Sequence, residues 1–468
     1  MSAHNNPVKL DLLMTIIHAK QALLPDGWAE SVAVTVDEIG RIADVSRGDE
    51  TASDHRVGIL LPAPVNVHSH AFQRAMAGLT ERRGPNPNDS FWTWRQLMFR
   101  FLDRLMPEHI EAITAFVQME MLEAGYGSSV EFHYLHHQPG GTPYDNLSET
   151  SARVAMAAQQ SGIGLTLLPV HYQYGGCDKR QLGAGQVRFG NDIDRFAKLF
   201  GGAEQALKPL PPDTNFGLAP HSLRAVGQES LSSLVTLADG KPIHMHLAEQ
   251  IAEVEEVEAA WGKRPVEWVL DNAEIDGQWC MIHCTQMEPH ETEALARSGA
   301  VAGLCPITES SLGDGIFDGL RWFDSDGKIA VGSDSNIRIS LSEELRTLDY
   351  SQRLRDHSRA AFATSEKSTG RRLLDEISTG GTQAAGRQCG SIKVGDWADL
   401  MTLNDTHIDL EGRAGDVALD CYVFAGDDRM VRDVWSAGRY MVRGGEHIRR
   451  SQIVETYRKT MRELGDAL

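Results

Sequence analysis

Between residues 63 and 390, eight short apolar runs each end in a polar or ionisable residue and are followed by a stretch with helix-like spacing. Buried parallel strands read as near-continuous apolar runs, and crossovers of this length indicate repeated strand–helix units. Eight such units predict an α/β fold, a (β/α)8 TIM-type barrel whose active site lies at the carboxyl ends of the strands. The runs are LLPAPVNVHSH, SSVEFHY, GLTLLPVHY, NFGLAPHS, PIHMHLAE, WCMIHCT, AVAGLCPIT and KIAVGSDS.

The two ends of the chain have a different sequence pattern, in which short β-like runs alternate with turns. This pattern covers residues 1–62 and returns after residue 391, for example in GSIKVGDWADLMTLN, before a final stretch with helical periodicity. We therefore predict a barrel over residues 63–390 and a small β-sandwich domain built from residues 1–62 and 391–468, with a C-terminal helix. A doubly wound open sheet is the alternative, but no GxGxxG motif opens a helix after the first run.

Charge and composition restrict the partners of the chain. The formal net charge of −20 repels phosphate backbones and anionic membranes, so we expect no nucleic-acid or membrane partner. No apolar run reaches the roughly 18 residues of a membrane span, and the first residues lack the pattern of a signal peptide, so a cytoplasmic location is expected. The six cysteines form no CxxC pair; Cys280 and Cys284 bracket a histidine, but no further zinc ligands follow at matching spacing.

Two histidines one residue apart end the first apolar run. His68 and His70 would project from the same face of a strand, which favours metal ligation over packing in the core. His246 ends the fifth run and Asp334 ends the eighth, which completes a set of three nitrogens and one oxygen suited to zinc or ferrous iron. Two alternatives stay open: His244 as the ligand in place of its neighbour, and Asp334 as a helix cap or turn residue. Because the third and fourth runs lack a lysine that could bridge two ions, we expect one metal.

Two further ionisable groups are candidates for proton transfer. Glu249 follows the predicted ligand of the fifth run by three residues, and His283 ends the sixth run. Hydrolysis assisted by a metal needs a base for the attacking water and an acid for the leaving group. A structural role for His283 is the alternative. Three other histidines, in EFHYLHH, are interpreted as structural: His133, His136 and His137.

The motifs PAPVNVHSH, HMHLAE, IHCT and VGSDS, in this order, resemble the deaminase branch of the metal-dependent amidohydrolase superfamily, and the resemblance covers nearly the whole chain. Within that branch HSHAFQRAMAGL, FWTWR, VEFHYLHH, LAPHSLRAV and CPITESSLGDGIF resemble the formimidoylglutamate deiminase family. The resemblance implies one zinc ion (iron is possible), a homodimer, and hydrolysis of N-formimino-L-glutamate to N-formyl-L-glutamate and ammonia in histidine degradation. It implies His68, His70, His246 and Asp334 as metal ligands. It implies Glu249 and His283 as the proton-transfer pair. From the positions at the strand ends we add the hypothesis that His283 or Asp334 takes the proton of water.

A small-molecule dicarboxylate substrate requires a cationic clamp in so acidic a protein. Arg224 is the first candidate, since a charged hydrogen bond there would contribute about 1.5–3 kcal/mol. Arg95 is the second, in a long loop whose tryptophans could form a lid. Gln73 could bond a nitrogen of the substrate, and Tyr134 is a phenolic donor. The predicted substrate-binding residues are Gln73, Arg95, Tyr134, His221 and Arg224.

Some residues depart from the family pattern, and two other functions stay open. The departures, in the seventh and eighth loops, bear on substrate detail rather than on metal binding: Ile307, Ser310, Ser311, Asn336 and Arg338. A deaminase of an N-heterocycle such as guanine is one alternative, although it would leave Arg224 and Arg95 without a role. A barrel that binds or assembles without catalysis is the other. The presence of all predicted ligands and proton-transfer groups argues against it.

Overall fold

The computed structural model describes residues 14–48, 53–81 and 98–465. In these ranges no helix is both long and apolar enough to cross a membrane. The strands are β1 Thr15–Leu24, β2 Gly27–Val36, β3 Ile42–Arg47, β4 His55–Pro62, β5 Val65–Ser69, β6 Ser128–His133, β7 Gly164–His171, β8 Asn215–Phe216, β9 Ala219–Pro220, β10 Ile243–Leu247, β11 Trp279–His283, β12 Val301–Leu304, β13 Lys328–Val331, β14 Leu400–Leu403, β15 Val431–Ser436, β16 Arg439–Arg443 and β17 Glu446–His447. The helices are α1 Pro107–Glu123, α2 Glu149–Ser161, α3 Ile193–Leu207, α4 Gln228–Ala238, α5 Ile251–Trp261, α6 Pro265–Asn272, α7 Pro289–Arg297, α8 Pro306–Leu312, α9 Gly319–Asp324, α10 Leu341–Asp356, α11 Thr369–Ala385, α12 Asp416–Asp420 and α13 Arg450–Gly465.

Strands from both ends of the chain form a small β domain, as predicted. Its strands form one continuous eight-stranded sheet in the order β17-β16-β15-β14-β4-β1-β2-β3. The two chain ends meet where β4 pairs antiparallel with β14, with Pro62 opposite Leu400. Apolar side chains from both ends, among them Val34 and Trp435, share one buried cluster. The N-terminal strands therefore depend on the C-terminal strands for their core.

The middle of the chain forms the predicted barrel of parallel strands and helices. Its strands pair in two groups, β5 to β8 with β9 beside β7, and β10 to β13. Single bridges join the two groups, from Leu218 to Ile243 and from Ser69 to Asp334, so the ladder does not close continuously. Every residue of β7 is buried, as expected for a parallel strand covered on both faces. The fourth predicted strand is two short pieces, β8 and β9.

Local sequence signals set the limits of several barrel helices. Asp192 precedes α3, and its side chain accepts a hydrogen bond of 2.8 Å from the backbone N–H of Arg195. Ser368 caps α11 in the same way, and Gly386 ends that helix with a φ of 60°. Proline opens α6, α7 and α8, where a missing N–H costs nothing. These signals fix the residues at which these helices begin and end.

A buried ionic network joins the barrel to the β domain. Asp213, just before β8, accepts hydrogen bonds of 2.7 and 2.8 Å from Arg439 and one of 3.0 Å from Arg387. Arg387 also donates to Asp399 at 2.9 Å. Burial alone would raise the pKa of Asp213, but Arg439 and Arg387 outweigh it and hold that pKa at about 2. The aspartate is therefore ionised, and both guanidinium groups depend on it for charge compensation.

Candidate active site

One cavity lies at the carboxyl ends of the barrel strands, with about 570 Å³ of empty volume. Nine of the residues predicted from the sequence line it: His70, Gln73, Tyr134, His221, Arg224, His246, Glu249, His283 and Asp334. Five further residues that the sequence interpretation did not single out also line it: Met98, Tyr172, Phe189, Leu312 and Ser335. His68 lies behind this surface and is fully buried.

Three histidines point the same ring atom at one another. The Nε2 atom of His68 lies 3.2 Å from Nε2 of His70 and 3.1 Å from Nε2 of His246. The Nδ1 hydrogens of His70 and His246 are donated to the carbonyl oxygens of Phe132 at 3.0 Å and His221 at 2.9 Å. In a neutral imidazole this leaves the lone pair on Nε2, so these lone pairs converge on one point.

The fourth predicted ligand, Asp334, is fixed to the same strand by its backbone. Its N–H donates to the His68 carbonyl at 2.9 Å, and its carbonyl accepts from the His70 N–H at 2.9 Å. Its carboxylate oxygen Oδ1 lies 3.4 Å from Nε2 of His68 and 3.3 Å from Nε2 of His70. The eighth strand end therefore presents an oxygen to the same point at which the nitrogens converge.

This donor set fits a divalent cation. Burial lowers the pKa of His70, and lowers the pKa of His68 and His246 well below the usual range, so the rings are neutral and their lone pairs are free to coordinate. Without a cation, converging lone pairs and a carboxylate would repel one another in a buried place. The ligand atoms of His68, His70 and His246 all lie within 4.8 Å of one another, as three ligands of one ion require.

The chain adopts unusual backbone conformations at these strand ends. Residues His283 and Asp334 have φ values of 72° and 46°, in the left-handed region that glycine prefers. Ala248, Cys284 and Asn336 also lie in that region, with φ values of 50°, 53° and 54°. Each such residue costs about 1–3 kcal/mol unless the surroundings enforce it. These strained residues therefore lie at the strand ends, where side chains turn from the strands into the cavity.

Glu249 and His283 form a second pair of ionisable groups beside the histidines. The carboxylate oxygen Oε1 of Glu249 lies 3.8 Å from Nε2 of His283, and both side chains are buried. Burial raises the pKa of Glu249, although His283 and Arg224 oppose the shift. Burial alone would lower the pKa of His283, but Glu249, Glu309 and Asp334 outweigh it and raise that pKa to about 10. Glu249 contributes most to this rise, so a proton on Glu249 removes the largest of the effects that raise the pKa of His283.

The same cavity also offers a cation and neutral donors. Arg224 is partly exposed, but its Nε is buried and has no hydrogen-bond partner in the described ranges. Burial alone would lower the pKa of Arg224, but Glu253 and Glu249 outweigh it, so the guanidinium stays charged. Gln73 Nε2 donates to the hydroxyl of Tyr134 at 2.7 Å, and both contact the sulfur of Met98. A charged guanidinium with a buried, unused N–H is a site for an anionic group.

Other histidines named in the sequence interpretation lie away from this point. His244 donates its Nε2 hydrogen to the Ala384 carbonyl at 2.8 Å inside the barrel wall. His136 bonds the Val170 carbonyl at 2.8 Å, and His133 bonds Thr150 at 2.9 Å. His137 bonds the carbonyl of Gly190 at 2.9 Å, and all six cysteines are free thiols. Arg95 and the tryptophans near it lie outside the described residues.

The sequence interpretation missed several residues that matter here. Tyr172 directly follows β7 and lies 4.6 Å from His221, ring centre to ring centre; its position at a strand end was a usable signal. Glu309 lies in α8 and contacts His283, but nothing in the spacing of the seventh run indicated this contact. Phe189 comes from a loop, where the sequence pattern carries no such signal. Asn336, noted as a departure, is fully buried and bonds Ser69 and Ser333 rather than lining the cavity.

Sequence comparisons match nearly the whole chain. The profile of the amidohydrolase family matches residues 59–441, and the profile described as formimidoylglutamate deiminase HutF, N-terminal domain, matches residues 14–58. A formimidoylglutamate deiminase from Pseudomonas aeruginosa is 43% identical over 97% of this chain and 100% of that protein. A 5'-deoxyadenosine deaminase from Methanopyrus kandleri is 23% identical over 92% of this chain and 93% of that protein.

Solved structures share the same architecture. An amidohydrolase from Brucella melitensis superposes with a TM-score of 0.92 at 45% identity, covering 96% of this chain and 99% of that one. An adenosine deaminase from Xanthomonas campestris with bound zinc superposes with a TM-score of 0.81 at 21% identity, covering 96% and 98% of the two chains. The second likeness is one of fold alone.

Proposed function

The chain belongs to the amidohydrolase family, and we propose that it hydrolyses N-formimino-L-glutamate to N-formyl-L-glutamate and ammonia, a step of histidine degradation. In the reaction, water adds to the formimino carbon, the carbon–nitrogen bond to the terminal nitrogen breaks, and that nitrogen leaves as ammonia. The observation that carries the proposal is that one cavity joins a cation-binding set, a Glu249–His283 pair and the cation Arg224. The 43% identity to a formimidoylglutamate deiminase over almost the whole chain supports the same substrate.

The metal site that we propose consists of His68, His70, His246 and Asp334. Zinc is the proposed ion, with iron as the alternative, because three imidazole nitrogens and a carboxylate suit either one. A zinc ion bound there would act as a Lewis acid that makes the attacking water more acidic. The carbonyls of Phe132 and His221 hold two of the rings in the tautomer that such a site needs.

The proton transfers are assigned to three side chains. His283 or Asp334 accepts the proton of the attacking water, since both groups border the point on which the ligand atoms converge. Glu249 gives a proton to the leaving nitrogen. Its burial favours the protonated carboxyl, which is the form that can donate. The two groups of the pair face each other across 3.8 Å, so a reacting atom near both can exchange protons with each.

Recognition of the substrate is assigned to other residues that line the cavity. Arg224 pairs with a carboxylate of the substrate, and His221, three residues earlier, lines the same cavity. Tyr134 offers its hydroxyl, while Gln73 bonds a nitrogen of the formimino or amide group. Arg95 remains a proposed second cation for the other carboxylate. A heterocyclic substrate has no carboxylate pair and would leave the buried Nε of Arg224 without a carboxylate to accept its hydrogen.

An ammonia-release assay tests the proposal. The purified protein is given N-formimino-L-glutamate, N-formimino-L-aspartate and guanine separately, and we expect release from the first at the highest kcat/KM. Release from guanine alone would identify a heterocycle deaminase instead. Release from none, together with a metal analysis that finds neither zinc nor iron, would support a barrel that only binds or assembles. A homodimer and a cytoplasmic location stay predictions, for which gel filtration with light scattering and cell fractionation are the tests.

A further inference from the structure

Glu309 contacts the ring nitrogen of His283 that points away from the cavity. Its carboxylate oxygen Oε1 lies 3.2 Å from Nδ1 of His283, and the side chains of both residues are buried. The other ring nitrogen of His283, Nε2, lies 3.8 Å from Glu249 at the cavity. The imidazole is therefore held between two carboxylates, one on each nitrogen.

The carboxylate of Glu309 is itself fixed in place. The same oxygen accepts a hydrogen bond of 2.8 Å from the backbone N–H of Cys305, four residues earlier. Glu309 belongs to the short helix α8, whose start is anchored separately, because Glu344 accepts the N–H of Ile307 at 2.9 Å. Glu309 can therefore act on His283 without large movement of its own.

The chemistry of this contact selects one form of the ring. An ionised carboxylate only accepts hydrogen bonds, so the hydrogen of a neutral His283 must be on Nδ1. The lone pair is then on Nε2, which faces the cavity and can take a proton from a reacting water.

We infer that Glu309 is a positioning residue that holds His283 with its hydrogen on Nδ1 and its basic Nε2 towards the cavity, which makes His283 the proton acceptor in the hydrolysis. This inference rests on the proposed function, because it assigns a role within that reaction. Glu309 does not touch the cavity, so its removal should slow the chemical step without weakening substrate binding.

The variant that tests this is Glu309→Gln, which keeps the shape of the side chain but loses the charge. We expect kcat for ammonia release from N-formimino-L-glutamate to fall about 10- to 100-fold, with KM changed less than about threefold and metal content unchanged. Glu291→Gln is the matched control, since Glu291 is also buried and also accepts a backbone N–H, that of Glu288 at the start of α7. We expect kcat of the control to stay within about threefold of the wild-type value.

A double-mutant cycle separates positioning from general support of the fold. In a His283→Asn background, Glu309→Gln should have almost no further effect on the residual kcat, because Glu309 acts through His283. An equal loss in both backgrounds would overturn the inference and indicate a structural role. So would unchanged kcat in the single variant. No ammonia release by the wild-type protein would instead overturn the proposed function, and this inference with it.

Two further measurements cover the remaining outcomes. Ligand atoms of His283, Cys305 and Glu309 lie within 4.8 Å of one another, so a second metal ion is a rival explanation. Metal analysis that finds two equivalents in the wild type and one in Glu309→Gln would overturn positioning in favour of ligation.

If Glu309→Gln does not fold, nitrogen-15 NMR of the wild type decides. With His283 assigned from the His283→Asn spectrum, a protonated Nδ1 supports the inference and a protonated Nε2 alone contradicts it.

Discussion

Gly332 lies so close to the backbone of His68 that a Cβ atom at position 332 would be 2.6 Å from His68 N and 2.7 Å from His68 O. These distances are shorter than any ordinary contact of a Cβ atom. Because Gly332 precedes Asp334 by two residues, the approach brings the eighth strand end against the first. The hydrogen bonds between Asp334 and the backbone of His68 and His70 follow from this approach.

We predict that Gly332→Ala separates the two strand ends and disrupts the metal site. The backbone of His68 cannot move aside without moving its ring, so bound metal and ammonia release should both fall, by about tenfold or more. Metal content by mass spectrometry and the ammonia assay measure this. Gly201→Ala, in helix α3, is the control and should keep full activity, because no atom of the described residues lies within 4 Å of its Cβ position. Full metal content in Gly332→Ala would contradict the prediction.

Removal of the metal should abolish turnover. Dialysis against a chelator is expected to reduce ammonia release to background, and stoichiometric zinc should restore it. Because three neutral rings and a carboxylate would face one another without a cation, the melting temperature should fall as well. His70→Gln, which loses one ligand, should show reduced metal content even when zinc is supplied. Chelated protein that contains no metal yet retains full turnover would contradict the proposed site.

Arg224→Ala is expected to weaken binding of the dicarboxylate substrate. Loss of a charged hydrogen bond of about 1.5–3 kcal/mol corresponds to an increase in KM of about 10- to 150-fold. Arg180→Ala is a suitable control, because Arg180 is half exposed and pairs with Asp178 and Glu256 outside the cavity. Kinetics with N-formimino-L-glutamate test both variants. An unchanged KM for Arg224→Ala would remove the role assigned to the arginine.

The barrel and much of the site could be predicted because both depend on short patterns of neighbouring residues in the sequence. An apolar run that ends in an ionisable residue marks a buried strand and its carboxyl end, and the barrel brings eight such ends together. His68, His70, His246 and Asp334 therefore converge although up to 266 positions separate them.

The sequence pattern contained no signal for contacts that depend on the path of a loop or a short helix. Glu309 reaches His283 only because α8 begins directly after β12 and folds its side chain towards Cys305 N–H. Asn336 lies beyond the eighth strand end, yet it is drawn into a buried network with Ser69 and Ser333. The continuous sheet of the β domain also depends on the pairing of β4 with β14, which is distant in sequence. Spacing along the chain does not determine any of these contacts.

Asp213→Asn should destabilise the junction between barrel and β domain. The substitution leaves the buried guanidinium of Arg439 without a partner charge and removes one of the two carboxylates beside Arg387. A loss of about 3–5 kcal/mol is expected for breaking a buried ion pair on one side. Calorimetry measures the fall in melting temperature. Asp405→Asn, which removes a partner of the exposed Lys20, is the control and should cost about 0–1 kcal/mol. Equal melting temperatures of the two variants would contradict the prediction.

His447 should make the docking of the C-terminal segment sensitive to acid. Its Nε2 donates to the Ser161 carbonyl at 2.8 Å, and its Nδ1 accepts the N–H of Arg449 at 3.1 Å, so only the neutral ring fits. Burial lowers the pKa of His447 from 6.5 to about 4. Below pH 6.5 the unfolded chain binds a proton that the folded chain does not. The contribution to the free energy of unfolding is therefore complete above pH 6.5 and is lost as the pH falls towards 4.

The size of this effect is about 2 kcal/mol between pH 7 and pH 5 for His447. Replacement by glutamine keeps a donor for the Ser161 carbonyl and removes the titrating ring. We therefore expect the melting temperature of His447→Gln to fall less between pH 7 and pH 5 than that of the wild type. His290→Gln, at a side chain that is 64% exposed, should leave the difference unchanged. Since His171 and His244 are also buried and have pKa values of about 4, some acid sensitivity should persist in His447→Gln. Identical pH dependence in the wild type and His447→Gln would show that this ring does not take part.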